Sequence, residues 1–213
     1  MKLNLIFQST FCILNFGALA APNILLIVSE DNGQELSCYG EPYVQTPVLD
    51  NLATEGVLFK NAYVAQAGCS QCRASFLTGL YPHQNGQIGL ATWKFRMYDE
   101  NTPNIVRSLK ESGYRTGLIG KLHVNPESAF PFDFKAISSA NFGRKDQYRY
   151  ATEAKRFMTA DDSPFFLSVN FPDAHRPFTT QVDGLPSDPL SGDDVKPLEY
   201  FGIDNAELRQ QTA

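Results

Sequence analysis

In Asn23-Ile24-Leu25-Leu26-Ile27-Val28 no polar side chain follows Asn23, and the run breaks abruptly into Ser29-Glu30-Asp31-Asn32-Gly33. An apolar run without alternation is what a strand buried on both faces of a parallel sheet requires. Further strands are expected at residues 57–64, 115–120 and 164–171. Helices are expected between them. Thr46-Pro47 offers an N-cap and a proline at the first helical position, Gly56 closes the segment, and Val48, Leu49, Leu52 and Ala53 would form its inner stripe. Asn101-Thr102-Pro103 repeats that start, with Ile105, Val106 and Leu109 as the buried face and Gly113 as the stop. A small-residue loop over 66–73 leads into a short helix at 74–80. Tyr150, Ala154, Phe157 and Met158 sit at helical spacing within 147–158.

This alternation implies an α/β fold, a mostly parallel sheet with helices on both faces. Ligands of such sheets collect outside the carboxyl ends of the strands. Glu30 and Asp31, Lys121 and His123, and His175 all follow expected strand ends.

The first twenty residues differ from the rest. Lys2 precedes a largely apolar stretch, and Ala18-Leu19-Ala20 has the small-x-small pattern of a signal-peptidase site. Residues 1–20 therefore read as a signal peptide cleaved near Ala20, giving a periplasmic or secreted protein with no stable membrane span. Cleavage would remove Cys12 and leave Cys38, Cys69 and Cys72, an odd number that argues against a pure disulfide framework. The net charge of −5, without a lysine or arginine run, argues against nucleic acid as a partner.

Gly68-Cys69-Ser70-Gln71-Cys72-Arg73-Ala74-Ser75-Phe76-Leu77-Thr78-Gly79 carries the most chemistry. It sets a cysteine and an arginine where a glycine-bearing loop meets a helix start, a place suited to binding an anion. Cys69-x-x-Cys72 alone is also compatible with a redox pair, half of a zinc site, or two inert thiols. Glu30 and Asp31 are adjacent carboxylates, which a hard cation with oxygen ligands stabilises, although solvated loop acids have the same pattern.

The segment from Cys69 to Gly79 resembles the sulfatase signature C-x-P-S-R-A-S-x-x-T-G, within the alkaline phosphatase superfamily. The resemblance extends through Tyr81-Pro82-His83-Gln84-Asn85-Gly86, Gly113-Tyr114-Arg115-Thr116-Gly117, Ile119-Gly120-Lys121 with His123, and Phe171-Pro172-Asp173-Ala174-His175-Arg176. His123-Val124-Asn125-Pro126-Glu127 and Phe130-Pro131-Phe132-Asp133-Phe134 look like the heparan N-sulfatase branch. The resemblance implies that Cys69 is oxidised to formylglycine by a formylglycine-generating or sulfatase-maturating enzyme. It implies Glu30, Asp31 and residue 69 as ligands of Ca²⁺, or Mg²⁺, with Arg73 holding the nucleophile. Lys121 and His175 would meet the sulfate and leaving group, and His123 would orient the hydrated aldehyde. His83 is read as structural. The implied substrate is a sulfated carbohydrate, with N–S or O–S cleavage left open. A phosphatase or phosphodiesterase of the superfamily, or a catalytically dead glycan-binding protein, remains an alternative.

The sequence departs from the signature at Gln71, where proline is usual, at Cys72, where serine is usual, and at Glu30, where the first of two aspartates is usual. Residues 21–180 are expected to form the N-terminal part of the catalytic domain, and 181–213 a loop or linker opening a further part. The remaining metal ligands would then lie beyond residue 213, since Asp204-Asn205 reads as the cap of a helix.

Overall fold

The computed structural model describes residues 21–137, 146–197 and 202–213. The leader expected over residues 1–20 lies outside the described residues. In chain order the elements are β1 (Ile24–Val28), α1 (Pro47–Glu55), α2 (Cys69–Thr78), α3 (Pro82–Asn85), α4 (Ile105–Glu111), β2 (Arg115–Gly120), β3 (Phe134–Ala136), α5 (Gln147–Met158), β4 (Phe165–Asn170) and α6 (Ala206–Thr212).

The four strands form one parallel sheet in the order β1-β4-β2-β3. Helices cover both faces, as the alternation of elements requires. Leu118 and Phe166 point to one side, where they pack with Ala74 and Leu77 of α2 and Val106 of α4. Their neighbours Ile119 and Leu167 point to the other side, against Tyr150 and Phe157 of α5. Successive side chains of a strand face opposite ways, so the two central strands are buried on both faces, and their polar members Thr116, Ser168 and Asn170 are hydrogen-bonded. Every residue of β4 is buried.

Asn170 pairs with Val28 on one side and with Gly120 on the other, so three strands end in register. The segments after them, starting at Ser29, Lys121 and Phe171, therefore leave the sheet side by side. Gly120 makes this close. It has φ +83°, and a Cβ there would lie 2.1 Å from the Asn170 carbonyl oxygen. Gly120→Ala is expected to cost about 2–3 kcal/mol through left-handed strain and overpacking, read as a lower urea midpoint at unchanged slope.

Several expectations are corrected. Residues 57–64 form no strand, and Val57, Phe59, Tyr63 and Val64 are exposed on irregular backbone. Helix α1 starts at Pro47 as expected, but Val48 is 80% and Leu52 61% exposed, because the helix packs chiefly on the 3-10 turn Ser37–Tyr39. β1 is an edge strand among the described residues, and alternate side chains, Leu25 and Ile27, are exposed. Helix α4 opens two residues later than Pro103 suggested. The Asn104 side chain accepts a hydrogen bond from the Arg107 N–H (3.1 Å) and caps it. Strand β3 is an addition to the expected set. Asp204 and Asn205 act as the sequence suggests: Asn205 caps α6 and Asp204 pairs with Arg209.

Candidate active site

Helix α2 starts five residues before the expected position, at Cys69. The Gly68 carbonyl accepts the Cys72 N–H (2.9 Å), closing the first turn, and left-handed Gly79 ends the helix by donating to the Ser75 carbonyl (2.8 Å). Ser70, Arg73, Ala74 and Leu77 are buried at i, i+3, i+4 and i+7. The inner stripe is thus polar at its beginning and apolar at its end. Its polar half faces the strand ends.

Arg73 is 4% exposed and makes three contacts there. One terminal nitrogen donates to the Lys121 carbonyl and to Asn170 Oδ1, both at 2.7 Å. The other donates to Glu30 Oε2 at 2.5 Å. Lys121 Nζ donates to the second oxygen of the same carboxylate at 2.6 Å. Burial pushes the Glu30 carboxyl up, but Arg73, Cys69 and Lys121 together outweigh it and hold the group at about 2. Glu30 is therefore an anion held by two cations in a buried setting.

Asp31, in the left-handed region at φ +51°, turns its carboxylate away from that pair. One of its oxygens lies 4.0 Å from Cys69 Sγ, and the other lies 4.0 Å from His175 Nε2. His175 Nδ1 sits 2.6 Å from the Arg176 carbonyl oxygen. A carbonyl only accepts, so Nδ1 carries the proton of that bond. The segment bearing His175 is tied to β1 by Glu30 N–H to the Asp173 carbonyl (2.8 Å) and Ala174 N–H to the Glu30 carbonyl (2.7 Å).

His123 also adopts a left-handed conformation, at φ +53°. Both of its ring nitrogens are buried and lack a hydrogen-bond partner among the described residues. Burial, then Lys121, lower its pKa, which favours a neutral ring able to accept a proton. The Cys69 thiol is pushed up by burial and by the adjacent Glu30 carboxylate, so it is a poor thiolate in this setting. Glu30, Asp31, Cys69, Cys72 and Arg73 line a cleft of about 450 Å³.

The structure thus brings together every residue singled out from the sequence. Glu30, Arg73 and Lys121 form one group, Asp31, Cys69 and His175 adjoin it, and His123 feels the charges of both. Exposed His83 stacks on Tyr81, with ring centroids 5.8 Å apart. Asn170 was missed. It accepts from Arg73 and donates to Ser168 Oγ at 2.9 Å, and its signal was an amide side chain closing a mostly apolar strand.

The sulfatase family model matches residues 22–192, which is most of the chain and includes all of these groups. The chain belongs to the sulfatase family. Sulfatases generally use a metal and a cysteine-derived formylglycine. Human N-sulphoglucosamine sulphohydrolase is 42% identical over 161 residues, covering 72% of this chain and 32% of that protein. The N-acetylgalactosamine-6-O-sulfatase of Bacteroides thetaiotaomicron is 41% identical over 105 residues, or 48% of this chain and 20% of the relative. The chain therefore spans about a third or less of these relatives. A solved sulfatase-fold structure in complex with its substrate D-glucosamine-2-N,6-O-disulfate aligns with TM-score 0.63 and 27% identity, covering 75% of this chain and 36% of that one. The phosphonate monoester hydrolase of Agrobacterium radiobacter shares the fold at TM-score 0.59 and 20% identity, over 80% of this chain and 45% of its own. No helix among the described residues is long and apolar enough to cross a membrane.

The site does not by itself fit the expected calcium ion. Ca²⁺ takes six to eight oxygens, whereas both Glu30 oxygens already accept from buried cations, which leaves the Asp31 carboxylate as the uncommitted acid of the pair.

Proposed function

We propose that this chain carries the nucleophile half of a sulfatase site that cleaves a sulfate ester or sulfamate on a sulfated glycan. The observation that carries the proposal is that Arg73 and Lys121 converge on Glu30, whose carboxylate also takes a hydrogen bond from Cys69 at the start of α2. Sulfuryl transfer builds negative charge on peripheral oxygens, and prearranged cations and backbone N–H groups stabilise such charge most effectively. Converted to formylglycine, residue 69 would supply a hydrated aldehyde as the nucleophile toward sulfur. Arg73 would fix that group and Lys121 would neutralise sulfate oxygens. Neutral His123 accepts a hydrogen bond from the hydrate. His175, protonated on both ring nitrogens and oriented by its Nδ1 bond to the Arg176 carbonyl, can give the Nε2 proton to the departing oxygen or nitrogen and is left neutral with the proton on Nδ1. The calcium expected at Asp31 and Glu30 would require Glu30 to release a cation and further oxygens to join, so no step here is routed through it.

The leader pattern and the glycan-active relatives support a periplasmic or secreted protein acting on glycosaminoglycan-like chains. The test has two parts. Peptide mapping after co-expression with a maturating enzyme is expected to show residue 69 as the aldehyde. A protein that joins this chain to the remaining metal ligands should then release sulfate from N-sulfoglucosamine or an aryl sulfate faster than phosphate from the aryl phosphate, whereas residues 1–213 alone are expected to be inactive. Faster phosphate release would transfer the assignment to phosphoester hydrolysis. Unmodified Cys69 with retained binding of sulfated oligosaccharide would favour a non-catalytic protein.

A further inference from the structure

Asp31, Cys69 and His175 offer a carboxylate oxygen, a thiol sulfur and an imidazole nitrogen that all lie within 4.8 Å of one another. An N, S, O donor set suits zinc and its neighbours in the transition series, and it is a poor shell for calcium or magnesium. Tetrahedral zinc with ordinary bond lengths would set these donors roughly 3.3–3.5 Å apart. The observed separations, 4.0 Å from Asp31 to Cys69 and to His175 and no more than 4.8 Å for any pair, exceed that spacing by roughly 0.5–1.5 Å, which the ion would have to draw in. A second feature points the same way. His175 donates Nδ1–H to the Arg176 carbonyl, the outer-shell bond that fixes a histidine tautomer for metal ligation through Nε2. Nε2 is the atom that faces Asp31.

We propose that, while residue 69 is still a cysteine, the chain binds Zn²⁺ through Asp31, Cys69 and His175, with water in the fourth position. Binding releases the thiol proton to solvent and forms a zinc–sulfur bond, leaving two anionic ligands to balance the ion. The Cys69 thiol exchanges its contact with Glu30 for the metal, and Glu30 keeps Arg73 and Lys121. Conversion of the thiol to an oxygen group removes the sulfur ligand, so the metal preference of the site is set by the chemical state of residue 69. Zinc also holds the sulfur as a bound thiolate, which withholds it from oxidation and from pairing with Cys72. The inference deepens the reading of this site but concerns the unconverted chain.

The test uses the full chain with Cys69 confirmed as a thiol by mass spectrometry, titrated anaerobically with Co²⁺ as a spectroscopic substitute. A thiolate-to-cobalt charge-transfer band is expected, displaced by stoichiometric Zn²⁺ and unaffected by excess Ca²⁺. Cys69→Ser should abolish the band. Asp31→Asn and His175→Gln should weaken cobalt binding by about tenfold or more. Cys38→Ser and Cys72→Ser should leave it intact. Far-ultraviolet circular dichroism checks that each variant is folded. The proposal is overturned by a wild-type chain without the band, by a band that survives Cys69→Ser, or by one lost in Cys72→Ser, which would mark a dithiolate site. Sulfate release is no part of this readout, so either reading can fail while the other stands.

Discussion

Arg73→Lys is expected to lower kcat/KM for sulfate release by about a hundredfold to a thousandfold in protein carrying the converted residue 69. The substitution keeps the charge and removes the planar fork. Arg73 reaches the Lys121 carbonyl, Asn170 and Glu30 at once from two nitrogens. One ammonium on a flexible stem cannot reproduce those directions. Steady-state kinetics on an aryl sulfate separates the outcomes. Equal falls in kcat and kcat/KM indicate an interaction made in the transition state, whereas a rise in KM at constant kcat would reduce Arg73 to substrate binding.

Glu30→Gln should destabilise the fold by about 3–5 kcal/mol, because it leaves two buried cations with no anion between them. A urea melt measures this directly. The same carboxylate sets an acid dependence. Its pKa is about 2 in the folded protein against an ordinary 4.5. A depressed folded pKa means the contribution is fully present above about 4.5 and is lost as pH falls from there toward 2. The amount at stake is roughly 3 kcal/mol. Wild-type stability should therefore drop through that window, and the Glu30→Gln variant should be much flatter there. An equally steep acid slope in the variant would place the sensitivity elsewhere, with Asp133, also depressed and bonded to Thr116, the next group to test.

The central sheet was legible because Arg115–Gly120 and Phe165–Asn170 are mostly apolar with residues facing both sides buried, and follow helices with clear periodicity. Glu30, Asp31, Lys121, His123 and His175 were legible as a group because they follow strand ends, and a parallel sheet brings such ends to one edge, whereas Cys69 and Arg73 were marked by the signature they carry. The first turn of α2 was not. Its buried stripe opens with Ser70 and Arg73, which pattern reading takes for loop residues, since only neighbours from other elements justify burying them. The segment 57–64 failed for the opposite reason. It has strand-like composition, but pairing depends on a partner edge, and among the described residues it has none. The exposed stripe of α1 is the same error, because periodicity marks a face capable of burial without saying what covers it. Asn170 was overlooked because one polar side chain at a strand end reads as ordinary solvation until its bond to Arg73 is seen.

Glu30 has a consequence for traffic through the cleft. With one carboxylate already neutralising a guanidinium and an ammonium, the resting cleft is no deep electrostatic trap for stray anions. On the proposed function, a sulfate group would have to displace an intramolecular rival to gain the same two cations, and the rival would stand ready to reclaim them once the bond was broken. Such internal competition would sacrifice grip on the ground state and hasten departure of inorganic sulfate, a dianion that an unopposed pair of buried cations would retain.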